Sequence, residues 1–189
     1  MCGRYLFFDG HNPRIKALLR QLEKTTEDWQ RDALSLGEVF PSQKSPVCLL
    51  DARQQPSLTV MRWGMPRFQG SGLIINARSE TAANARWSRE HLQNHRCVVF
   101  ACGYYEWDKT TRQKLLITLP ERKMFAMAGF YAGLPQDPRF VIMTQPASRQ
   151  LAGIHERMPV ILYEDQAVAY LRHPLPRYSQ PAMQIQPAQ

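Results

Sequence analysis

RCVVFACGYYEW, residues 96–107, is the stretch on which the fold turns. It reads as one long strand that bends at Gly103, because a glycine inside a strand marks a bend or a close backbone approach. Working outward, KLLITL, MFAMAGFYA and RFVIMT follow as three more strands, and VILY as another. Upstream, GRYLFF reads as a first strand, PVCLLD and SLTVMRW as a pair turning through DARQQP, and LIINAR as a short strand. GEVFPSQKSP, MPRFQGSG and HERMP read as loops. Helical spacing of apolar residues predicts a helix in NPRIKALLRQLEK, with Pro13 near its start, a second over TAANARWSREHLQ and a closing one in EDQAVAYLR. ASRQLAGI reads as a short helix. The tail after residue 175, rich in Pro and Gln, is expected to be irregular. Many short strands with few helices predict an α+β fold: a single domain over 1–175 with a curved antiparallel, barrel-like sheet flanked by short helices.

The 189 residues suffice for one domain with a real core. No run approaches the length of an apolar membrane span. MCGRYLFFDGHNPR lacks the basic start and long apolar run of a signal peptide, so a cytoplasmic protein is expected, retaining its N-terminus apart from Met1. The net charge of +8, with Arg outnumbering Lys, favours an anionic partner, nucleic acid first. Of the four cysteines, Cys48 and Cys97 read as small buried residues, and reduced thiols are the default. His91 and His95, four apart, with Cys97 and Cys102 raise zinc. The paired CxxC spacing is absent, however, and Cys97 and Cys102 differ by an odd number on one strand, so they should face opposite sides. No metal and no cofactor are expected.

Four places could carry chemistry. Removal of Met1 would leave Cys2 with an α-amine and a thiol on adjacent carbons. The α-amine has a reference pKa of about 7.7–8.0 against about 10.4 for Lys, so its reactive neutral fraction at neutral pH is some hundreds of times larger. Such an amine forms a Schiff base with an aldehyde, and the thiol can then close a five-membered thiazolidine. Asn76 and Arg78 alternate and would share one face of a strand, Asn76 to hold a nucleophile and Arg78 to grip phosphate, with Glu80 orienting Arg78 or capping the helix. Glu106, among Tyr104, Tyr105 and Trp107, should have a raised pKa suited to proton transfer. His155 stands in a loop as a general acid or base, beside Glu156 and Arg157, which read as a solvated pair. Each has a bland alternative: an inert Cys, a loop–helix junction, an exposed Glu, an exposed His. A Cys–His peptidase using Cys97 or Cys102 with His155 lacks a nucleophile motif.

In order along the chain, MCGR, NAR-x-ET at 76–81, RCVVF-x-x-GYYEW at 96–107, T-x-x-A at 144–147 and IHERMP at 154–159 resemble the SRAP family, the SOS-response-associated peptidase-like proteins. The resemblance implies binding to single-stranded DNA that contains an abasic site, and a thiazolidine crosslink that shields the lesion. It implies Cys2 as nucleophile and Asn76 to position it. Glu106 would shuttle protons and His155 would open the sugar ring. Arg4 and Arg78 would contact phosphates, Arg86 and Trp87 would pack on the strand near the lesion, and Pro41 and Trp63 would line the cleft, Trp63 or Trp87 offering a stacking face. It further implies Schiff-base chemistry of the lyase kind and autoproteolytic removal of Met1, for which a host aminopeptidase is an equally good explanation. Replication-fork proteins are further candidate partners, and a monomer is expected. The chain departs from the family where Cys102 replaces an Asp, where Glu38-Val39-Phe40-Pro41 stands for Asn-x-x-Pro, and where Trp63-Gly64-Met65-Pro66 shortens a Trp-rich phrase. An N-terminal-Cys peptidase or amidohydrolase and a non-covalent reader of modified DNA are the alternatives.

Overall fold

A computed structural model describes residues 2–7, 13–25, 34, 36–120, 124–133, 136–175 and 177–188, residues 23–25 by their backbone alone. Phe8, expected to close the first strand, and Met1 lie outside them.

In chain order the elements are β1 (Arg4–Leu6), α1 (Pro13–Thr25), β2 (Glu38–Val39), β3 (Lys44–Leu50), β4 (Pro56–Trp63), β5 (Met65–Pro66), β6 (Leu73–Ile74) and β7 (Asn76–Arg78). Then come α2 (Ser79–Ala82), α3 (Arg89–Asn94), β8 (Arg96–Ala101), β9 (Gly103–Trp107), β10 (Lys114–Thr118), β11 (Phe125–Ala132) and β12 (Arg139–Pro146). β13 (Arg157–Pro159), β14 (Ile161–Leu162), α4 (Glu164–Arg172) and β15 (Gln184–Pro187) complete the chain.

Strands β12, β4, β3, β8 and β11 neighbour one another in that order, and β11 pairs β12 again, so the sheet closes into a barrel. Closure removes free strand edges. The pairing is antiparallel except where β4 and β7 run parallel to β12. Side-chain alternation then sorts the core. Val47, Met61, Cys97, Val99, Met127, Phe140 and Ile142 fill one cluster on the inside. Their chain neighbours Cys48, Val60, Val98, Ala126, Ala128, Val141 and Met143 form an outer cluster together with residues of α1, α3 and α4. Gly129 is needed between them, since a Cβ there would stand 2.6 Å from the Val141 carbonyl oxygen.

The predicted bend occurs as expected. The chain leaves the barrel at Ala101, passes Cys102, and re-pairs as β9 in a second sheet, β15–β10–β9–β1–β2. A Cβ on Gly103 would meet the Leu116 side chain at 2.8 Å, which explains the glycine. The bend also overturns the parity argument for the cysteines: Cys97 and Cys102 both join the inner cluster, because alternation does not continue through the break.

Other expectations are corrected. TAANARWSREHLQ is not one helix; turns separate α2 from α3. HERMP supplies β13, MPRFQGSG opens on β5, which pairs with β6, and GEVFPSQKSP holds β2 and the start of β3. ASRQLAGI is turns, not helix. The tail is not irregular throughout: β15 pairs with β10, Met183 is buried, and Gln150 brackets the Met183 backbone with both ends of its amide. Arg96 ties the helices to the barrel by donating to the carbonyls of Leu92 and Gln93 at the end of α3 and of Leu171 and Arg172 at the end of α4. These are the last-turn acceptors that a helix leaves unsatisfied.

Trp63 is wholly buried, edge-on to Tyr5 at 5.2 Å and stacked with Phe140 at 6.4 Å. Its indole N–H donates to the Ile75 carbonyl at 3.0 Å. Trp63→Ala should therefore cost about 3–5 kcal/mol, a fall in Tm of roughly 6–20 °C at about 2–4 °C per kcal/mol for this size. A thermal melt checks this.

Candidate functional site

The site is built where the end of the second sheet meets the barrel interior. In β7, Ala77 packs in the outer cluster, so Asn76 and Arg78 point the other way and share a face, as expected from their spacing. Asn76 is held there because β7 lies parallel to β12, with Asn76 opposite Ile142, and because Trp63 fixes the preceding residue. Its side-chain Nδ2 donates to the Cys2 carbonyl at 3.0 Å, which clamps the residue next to the chain start. The Asn76 Oδ1 is buried with no hydrogen-bond partner among the described residues.

Cys2 is fully buried in the inner cluster, and its thiol points to the Arg4 carbonyl at 3.6 Å. Burial pushes this thiol far above the ordinary range, and the charge of Glu106 adds to the rise, so the sulfur is protonated at neutral pH. Glu106 lies on the inner face of β9 with Tyr104, opposite Leu115 of β10, and is 4% exposed. Its burial raises its own pKa above the usual carboxylate value. Tyr104 is raised well above its ordinary value, first by burial and then by the charges of Cys2 and Glu106. Buried Cys2 and Glu106 and half-buried Asn76 thus form one group.

His155 follows Ile154, which packs in the same inner cluster as Cys2. The backbone N–H of Arg157 donates to its Nδ1 at 2.9 Å. An accepting Nδ1 leaves the neutral ring with its proton on Nε2. Burial lowers the pKa of His155 below the ordinary value.

The other expected site residues are distributed differently. Arg78 is exposed at the end of β7, on the face shared with Asn76. Arg4 projects from the outer face of the second sheet, opposite in sense to Tyr5. There its guanidinium lies over the rings of Phe40 and Trp107, at 4.5 and 4.9 Å, and pairs with Glu38 at 3.3 Å. Glu38 also takes Lys114 at 2.7 Å, and Lys114 lies over the Tyr105 ring. Pro41, half-buried, sits in the turn after Phe40. Arg86 and Trp87 belong to the barrel's outer side: Trp87 packs against Phe130 and Phe68 and, with Arg86, His91 and Arg139, lines a cavity of about 700 Å³. Trp63, in the core, has no face for a base to stack on.

Two residues on which the sequence reading went astray stand close to this group. Arg157 is not half of a solvated pair with Glu156. It is buried, forks onto both oxygens of Glu80, and donates to the Thr144 carbonyl at 2.7 Å. Glu80 accordingly pairs with Arg157 rather than orienting Arg78, and the paired guanidinium holds its carboxyl down to about 2. The signal was the Arg two places after His155, visible only once β13 was recognised as a strand. Among the described residues no group of three or more His, Cys, Asp or Glu side chains could hold a metal ion. His91 and His95 instead face each other, Nδ1 to Nδ1 at 3.2 Å. All four cysteines stand outside any disulfide.

The chain resembles several characterised proteins. It is 29% identical over 191 residues to "Abasic site processing protein YoqW" of Bacillus subtilis, covering 90% of this chain and 80% of that protein. It is 29% identical over 181 residues to "Abasic site processing protein YedK" of Escherichia coli, covering 91% and 80%. It is 33% identical over 185 residues to "Abasic site processing protein YoaM" of Bacillus subtilis, covering 90% and 79%. Among solved structures, a protein of Bordetella bronchiseptica superposes with a TM-score of 0.72 at 18% identity over the whole of both chains. A protein of Bacteroides thetaiotaomicron gives 0.69 at 21%, covering 92% of this chain and 82% of that one. These two likenesses establish the fold. The model of the SOS response associated peptidase (SRAP) family matches residues 1–189, end to end, and the chain belongs to that family.

Proposed function

We propose that this protein acts on abasic sites in single-stranded DNA and captures them covalently through Cys2, once Met1 has been removed. The observation that carries the reading is the Asn76 clamp on the Cys2 carbonyl, inside one group with Glu106. The relatives named as abasic site processing proteins point to the same lesion. The charge of +8 suits a polyanion bound without sequence preference.

An abasic site is a cyclic hemiacetal in equilibrium with a little open aldehyde. The Nε2–H of His155 hydrogen-bonds to the ring oxygen and steadies the charge developing there, while Glu106 takes the hydroxyl proton and passes it to that oxygen, and the ring opens. The Cys2 amine attacks C1′, because the buried thiol is protonated and the amine is the stronger nucleophile of the two in this setting. The carbinolamine loses water to give an iminium. Sγ then adds to C1′ and its proton passes to the Glu106 carboxylate, closing the thiazolidine. The net change is loss of one water. Asn76 holds the Cys2 backbone throughout, and its buried Oδ1, without a partner among the described residues, accepts from the freed amine. Arg78, exposed on the same face, grips a phosphate of the strand.

No helix among the described residues is long and apolar enough to cross a membrane. Acting on DNA, the protein works in the cytoplasm, with the nucleoid.

The test is a denaturing gel of the mature protein with a single-stranded oligonucleotide bearing one abasic site. A slower covalent band that disappears in Cys2→Ala is expected. No band from a protein with a verified Cys2 N-terminus would sink the reading. Retained binding by Cys2→Ala that discriminates modified bases would favour a non-covalent reader instead.

A further inference from the structure

We infer that Glu80 and Arg157 are positioning residues: their ion pair braces the strand that carries Asn76 against the strand that follows His155. This rests on the capture reading above and concerns how the two halves of the site are kept in register.

The argument begins with topology. Near its C-terminal end β12 is paired on both sides: Thr144 lies opposite Arg78 of β7 and opposite Pro159 of β13. Asn76 and His155 therefore belong to separate segments, joined through β12. β7 has only three residues, and so does β13. Segments this short hold their position poorly by ladder bonds alone.

Arg157 spans the gap. Its guanidinium crosses to both carboxylate oxygens of Glu80, in the helix that directly continues β7, and on the way takes the Thr144 carbonyl in the middle strand. The fork of guanidinium on carboxylate fixes direction as well as distance. The same residue uses its backbone N–H to hold Nδ1 of His155. One side chain and one amide of Arg157 thus connect the Asn76 segment to the orientation and tautomer of His155. Arg157 is 8% exposed, so no other cation readily replaces it, and unpaired it would leave a buried charge. The Glu80 side chain is 44% exposed, so it can be altered without opening the core.

Loss of the brace should appear as misplacement. A shift of about 1 Å in a catalytic group can cost on the order of 100-fold in rate. Glu80→Gln keeps the shape of the side chain and removes its charge. It should slow single-turnover crosslinking by about 10- to 100-fold, with its affinity for undamaged single-stranded DNA unchanged. Glu80→Asp should recover most of the rate. Without any DNA, the 15N resonances of His155 should report an Nε2–H tautomer in the wild type and a tautomer mixture in Glu80→Gln. Three results overturn the inference: unchanged tautomer in Glu80→Gln, an unchanged crosslinking rate, or a fall in rate matched by an equal fall in DNA affinity. The last would make the pair part of the DNA grip. If the wild type itself captures no lesion, the reading of function fails, and the resonance measurement still decides whether the brace exists.

Discussion

A chain that keeps Met1, or carries any N-terminal tag, should give no covalent product with abasic DNA. Acylation of the Cys2 nitrogen removes the lone pair that attacks the aldehyde, and no other amine here combines a low pKa with an adjacent thiol. The effect is all-or-none, because the thiol cannot substitute: buried and held protonated, it makes at most a reversible hemithioacetal. Cleaving a tag so that Cys2 becomes the first residue restores the band on a denaturing gel. Cys2→Ser refines the test by keeping the amine and losing the sulfur. It should form an imine that hydrolyses on standing and is fixed only by borohydride. A stable band from a tagged chain, or from Cys2→Ser without reductant, contradicts the mechanism.

Glu106→Gln should slow both capture and release by about 10²–10⁴-fold, the usual contribution of a positioned general acid–base. Burial raises the Glu106 pKa, so the carboxyl holds a proton at higher pH than an exposed one would. Release requires that proton on the departing sulfur, so release by the wild type should fall as pH rises through the raised value. In Glu106→Gln the profile should be flat. The same shift bears on stability. A carboxyl whose pKa is raised on folding costs the fold nothing below its unfolded value of about 4.3, and destabilises it as pH rises through the folded value. Glu106→Gln should therefore match the wild type in acid and melt higher than it near neutral pH, while being the poorer catalyst. Thermal melts across that range, set beside crosslinking rates, decide it. A variant that loses activity and stability together would place Glu106 in a structural role.

The alternation rules carried most of the fold. Residues 96–107 and strands β10 to β12 read correctly, because each buries one face against a defined layer. The failures share a cause. HERMP and GEVF hold strands of two or three residues, too short for a period to register; the first pairs with the long β12 and the second with the equally short β1. The last strand forms from a Pro- and Gln-rich tail because β10 offers an open edge. In the site, Cys2, Asn76 and Glu106 were legible as residue types with an unusual chemistry, and the structure brings them into one group. The surroundings were not legible. Trp63 reads equally as a stacking platform or as core, and only closure of the barrel assigns it to core. Glu38 reads as one more acidic residue, yet it sits between Arg4 and Lys114, which no local spacing could reveal.

The strand that turns at Cys102 and Gly103 has a mechanical meaning. Residues 96–101 are stitched into the barrel and 103–107 into the second sheet, with a single residue between them. The two sheets share a backbone where most double-sheet proteins share only side-chain contacts. A hinge between them would have to act at Cys102, whose backbone N–H is itself held by the Leu6 carbonyl at 2.7 Å. The carboxylate of Glu106 on one and the amide of Asn76 on the other are thereby tied to a single frame. Under the proposed function, adaptation to DNA falls to exposed side chains at the rim such as Arg78.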